Sequence, residues 1–125
     1  MHLGFSSMNT PKDPDPRKLA KLLEDAGFES LWYGEHSHIP MCRSTPYPPG
    51  GDLPEPYKEM MDPYLSLMAA ASVTEKIKLG TGIALMLERD IFSQAKAMAT
   101  LDQLSNGRLL AVSYTHLTLP TTSRV

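Results

Sequence analysis

The chain has 125 residues, 42% of them hydrophobic and 21% charged, with a formal net charge of −2. That length suits one domain, and the charge balance offers no basic stripe, which argues against nucleic acid or an anionic membrane surface as a partner. A single cysteine, Cys42, leaves no internal disulfide, and no basic and apolar leader or long apolar span is present, so the chain reads as soluble and cytoplasmic.

Residues 2–8, "HLGFSSM", are short and apolar and run into the turn-forming cluster "NTPKDPDP", which predicts a first strand. Asp15 followed by Pro16 then supplies a capping carboxylate and a proline at the first helical position. Leu19, Leu22, Leu23 and Ala26 recur at helical spacing, and Gly27 ends the helix. "ESLWYG", residues 29–34, is apolar on both faces, as a strand in a helix-covered parallel sheet should be.

A long excursion over residues 36–61 follows, carrying "TPYPPGGDLPEP". Connections in compact domains usually run to about 4–6 residues, so one of this length is either functional or a mobile surface insertion. Asp62 and Pro63 repeat the cap-and-proline device, and Leu65, Met68, Ala69 and Val73 are expected to form the buried stripe of a second helix. "KIKLGTGIALM" reads as a third strand entering a Gly-containing loop. A third helix is predicted over residues 91–105, capped by Asp90, stopped at Asn106-Gly107, with Ala95, Met98, Leu101 and Leu104 or their neighbours facing inward. "RLLAV" begins a fourth strand.

Strands alternating with helices imply an α/β fold with a parallel sheet, and periodicity leaves an open doubly wound sheet and a barrel as alternatives. No G-x-G-x-x-G follows the first strand, so the dinucleotide fingerprint is missing from its required place. In either architecture chemistry belongs at the carboxyl ends of the strands, here near Met8-Asn9, Glu35-His36 and Gly82-Ile83.

Four separated stretches, "GFESLWYGEHSHIP", "PYPPGGDLPEPY", "DPYLSLMAAASVTEKIKLGTGI" and "FSQAKAMATLDQLSNGRLL", together resemble the amino-terminal portion of the luciferase-like monooxygenase superfamily, most closely its coenzyme F420-dependent oxidoreductase branch. The resemblance runs from residue 2 to about residue 111 and implies the first β-α units of a (β/α)8 TIM barrel, truncated, with the coenzyme at the carboxyl-terminal mouth. It implies hydride transfer between the deazaflavin and a small organic substrate, with FMN as the alternative coenzyme and a homodimer as one option for the parent. Glu35 and His36 match the acidic residue and histidine found beside the reactive ring, which makes His36 the candidate acid or base; a strand cap held by hydrogen bonds is the plainer alternative. Gly82-Ile83 matches a non-prolyl cis peptide that supports the ring, against an ordinary Gly-rich turn. Leu85 and Met86 would extend that contact or simply pack the strand end.

His36 and His38 also fit the H-x-H that opens some zinc hydrolase sites, but such sites need further ligands, and the other histidines are only His2 and His116. The final stretch departs from the family, whose members continue after "NGRLL" with a Gly-rich strand end. "VSYTHLTLPT", residues 112–121, instead translates the end sequence of a transposon-based sequencing-library adapter. Residues 112–125 are therefore expected to be a non-native tail, and the remaining fragment to be marginal and without chemistry of its own.

Overall fold

A computed structural model describes residues 1–42 and 46–113. From residue 114 onward the expected adapter-derived tail lies outside the described residues. Four strands, β1 (Gly4–Ser7), β2 (Ser30–Tyr33), β3 (Lys78–Thr81) and β4 (Leu109–Leu110), form one parallel sheet in sequence order. Between them run α1 (Pro16–Asp25), α2 (Pro63–Ala71) and α3 (Ile91–Leu104). The 36–61 excursion contains a short 3-10 turn, Glu55–Lys58.

Each helix starts on the aspartate expected of it. Asp15 accepts from the Arg17 amide, Asp62 from those of Tyr64 and Leu65, and Asp90 from that of Ser93, so each cap satisfies amides that the first turn leaves free. Helix α1 ends where Gly27 takes φ +80°, with the Phe28 amide donating to the Leu23 carbonyl.

The core lies between the helices and one sheet face, where Leu31, Tyr33, Ile77 and Leu79 meet Leu19, Ala20, Leu23, Leu67, Ala70 and Leu101. The expected helix faces need correction. In α1 the buried set is Leu19, Ala20 and Leu23, while Leu22 is exposed. In α2, Leu65 is 74% exposed and Val73 lies at the surface, whereas Tyr64, Ser66 and Leu67 are buried. In α3, Leu101 is buried, Met98 is half-buried and Leu104 is exposed. Helix α2, "PYLSLMAAA", is apolar almost all round, so hydrophobic spacing does not choose its face; packing of Leu67, Ala70 and Tyr64 into the core does.

On the other sheet face the indole of Trp32 lies over β3. A Cβ added at Gly80 would fall 2.1 Å from its ring, so glycine is needed there, and the indole nitrogen donates to Ser30 Oγ at 2.8 Å.

Two charged side chains secure the amino-terminal ends of the strands. Glu24 of α1 accepts from the amides of Glu75, Lys76 and Ile77, just ahead of β3. Arg108, just ahead of β4, is buried and donates to Ala71 O, Thr74 O, Thr74 Oγ1, Ile77 O and Ser105 O. Burial works against the Glu24 charge, but three amide donors outweigh it and lower its pKa. Among the described residues no helix is long and apolar enough to cross a membrane.

Candidate active site

The carboxyl ends of β1, β2 and β3 open onto a cavity of about 300 Å³, walled by Ser6, Ser7, Gly34, His36, Gly82 and Leu85 with their neighbours. A second cavity of about 620 Å³ lies between the two arms of the 36–61 excursion, against Ile39, Leu53 and His38. The two share His36, Tyr57 and Met60. His36 is half-buried on this shared wall, its ring edge-on to that of Tyr57, and Tyr57 in turn meets Tyr47 edge-on at 5.9 Å.

Glu35 sits one residue before His36 and is 4% exposed. Its Oε2 accepts from the Leu85 amide at 2.8 Å, and its Oε1 accepts from Arg89 Nε. The same guanidinium donates through Nη2 to Asp62 Oδ2 at 2.7 Å and lies 5.2 Å from the centre of the Tyr64 ring. Gln94 of α3 completes the cluster by donating to the Tyr64 hydroxyl at 3.0 Å. Burial opposes the Arg89 charge, yet the hydrogen bonds to Asp62 and Glu35 prevail and raise its pKa above the ordinary arginine value. Burial likewise raises the pKa of the Tyr64 hydroxyl, despite the Gln94 donor.

The structure thus brings Glu35, His36, Gly82, Ile83 and Leu85 to one cavity. The Gly82-Ile83 peptide is cis. Leu85 is buried and held through its amide, while Met86 opens a short 3-10 turn away from that cavity's wall.

The H-x-H reading fares differently. Strand β2 ends at Tyr33, so residues 36–38 are not an extended strand end with one shared face. His38 is exposed, with Nδ1 2.8 Å from Ser37 Oγ and 3.8 Å from Glu88. Among the described residues no group of three or more His, Cys, Asp or Glu is placed to hold a metal ion.

Sequence reasoning did not find Arg89, Asp62 or Tyr64 as site residues. Arg89 directly precedes the Asp90 cap of α3, a position that must lie at the sheet's carboxyl mouth, and that is the signal available in the sequence.

A family model described as luciferase-like monooxygenase matches residues 6–112. An uncharacterised protein of Mycobacterium tuberculosis is 40% identical over 112 residues, which is 87% of this chain and 40% of that protein. The chain therefore spans about 40% of the length of such curated relatives. Among solved structures, the coenzyme F420-dependent tetrahydromethanopterin reductase of Methanopyrus kandleri is 29% identical with a TM-score of 0.61, covering 90% of this chain and 26% of that one. The oxygenating constituent of 3,6-diketocamphane monooxygenase from Pseudomonas putida, in complex with FMN, is 19% identical with a TM-score of 0.67, covering 91% of this chain and 29% of that one. The β-α units described above are those of this TIM-barrel fold.

Proposed function

Because the chain belongs to the luciferase-like monooxygenase family, we propose that the whole protein is a coenzyme F420-dependent oxidoreductase acting on a small organic substrate. The observation that carries this reading is the cavity at the carboxyl ends of β1 to β3 with a half-buried imidazole on its wall. Its volume of about 300 Å³ falls at the lower end of what small-molecule sites use. The Methanopyrus reductase, similar over most of this chain, favours the deazaflavin; the fold shared with the FMN-bearing Pseudomonas enzyme keeps FMN as the second reading.

The residues present suit a planar ring that carries no positive charge. Ile83 and the buried Leu85 offer apolar contact, Ser6 offers a hydroxyl while that of Ser7 is held by Asp13 and the Asn9 amide, and the wall's carboxylate, Glu35, already has both oxygens engaged. No unpaired carboxylate of that wall would therefore confront the ring. When bound, the coenzyme supplies a hydride acceptor or donor. His36 then holds or delivers the accompanying proton, since imidazole is the side chain that ordinarily titrates nearest neutral pH. Glu35 orients this segment, and Gly82 and Ile83 shape the wall.

Titrating the purified whole protein with F420 and with FMN, followed by coenzyme fluorescence, tests the reading. F420 retention with weak FMN binding is the expected result. Retention of FMN alone transfers the assignment to a flavin monooxygenase, and retention of neither rejects a coenzyme site here.

A further inference from the structure

The cluster beneath His36 is joined through a single guanidinium. Arg89 is held in sequence against the α3 cap, Asp90, and reaches Glu35 at the end of β2 and Asp62 at the start of α2. Glu35 then passes the restraint to the Leu85 amide, on the loop that carries Gly82 and Ile83. Four connected segments at the carboxyl mouth are thereby fixed to one another by three hydrogen bonds. His36 itself makes no hydrogen bond in this set and takes its place from its covalent neighbour Glu35 and from the Tyr57 ring.

From this geometry we infer that Arg89 is the positioning residue of the site. It sets the distance between the His36 imidazole and the Gly82–Leu85 wall by forking Glu35 to Asp62. A planar fork is what the task requires, because the two carboxylates are met by different nitrogens of one rigid group, which the point charge of lysine does not reproduce. With both Glu35 oxygens committed, Glu35 is a restraint on the wall and not a proton carrier. The consequence for turnover rests on the coenzyme reading above; the restraint itself does not.

Two variants of the whole protein separate positioning from mere neutralisation of a buried charge. Arg89→Lys keeps the charge and loses the fork. Asp62→Asn keeps the α2 cap through its remaining oxygen, as asparagine caps well, but turns an amide donor toward the guanidinium and so frees Arg89 from α2. Amide hydrogen exchange on the coenzyme-free protein is the first readout. Exchange at Leu85 is expected to rise about tenfold while Leu31 and Leu79, in the sheet, keep their protection. F420 titration is the second, with Kd about tenfold weaker in both variants, because a wall loosened in the free protein must be ordered again on binding. A wild-type protein that retains no coenzyme rejects the functional reading and leaves the exchange result to judge Arg89. Unchanged exchange at Leu85 in the folded variants overturns the inference. So does a rise shared equally by Leu31 and Leu79, which marks a general loss of stability. If Arg89→Lys fails to fold, Asp62→Asn decides.

Discussion

His36 presents its imidazole edge-on to the ring of Tyr57, with centroids 5.5 Å apart and planes inclined at 69°. Among the described residues neither nitrogen of this imidazole is hydrogen-bonded, and Tyr57 comes from the long excursion instead of from a strand. In the whole protein His36→Asn is expected to change coenzyme affinity by no more than a few-fold and to cut turnover by about 10²–10⁴. Stopped-flow absorbance of the coenzyme checks both. Tyr57→Ala, which leaves the ring unsteered, should fall between the two.

Glu24 links acidity to stability. Its pKa is lowered in the folded state by the amides of Ile77, Lys76 and Glu75, against the opposing effect of burial. A depressed carboxyl pKa stabilises the fold above the unfolded value of about 4.3, and that contribution is lost as pH falls through the folded value. Glu24→Gln is therefore expected to cost about 1 kcal/mol at pH 7, the partial exposure of the site reducing the full charge-assisted figure. Denaturant unfolding should show the gap from wild type closing below about pH 4.

Trp32 is the sole tryptophan of the chain, which makes the Gly80 contact measurable. Gly80→Ala drives a methyl into the indole and is expected to destabilise by about 1–3 kcal/mol with a shift in Trp32 emission. In a Trp32→Leu background the penalty should shrink, and a double-mutant cycle quantifies the difference.

We propose that residues 112–125 are adapter read through in frame. The main-chain atoms of Val112 join Thr81 Oγ1 and the Ala84 amide, contacts that any residue other than proline supplies. Sequencing the source locus is expected to show a Gly-rich strand end after Ala111. Finding codons for "VSYTHLTLPT" in genomic DNA would overturn this.

The local signals were legible and the distant ones were not. Each Asp cap with its proline or polar neighbour marked a helix start, because capping is decided within four residues. The alternation of strand and helix implied a parallel sheet, and the family resemblance placed residues 35, 36, 82, 83 and 85 at its carboxyl ends, where one cavity gathers them. Which face of α2 turns inward was not legible, since both faces are apolar. The Glu35 network escaped because its partners lie 27 and 54 residues apart in the chain and meet only once the sheet has formed.

Arg108 and Glu24 gather the polar restraints at the floor of the sheet, opposite the mouth. The rim from residue 36 to residue 61 can consequently be rewritten while the foundations stand untouched, so variation at the mouth and durability of the architecture are inherited separately.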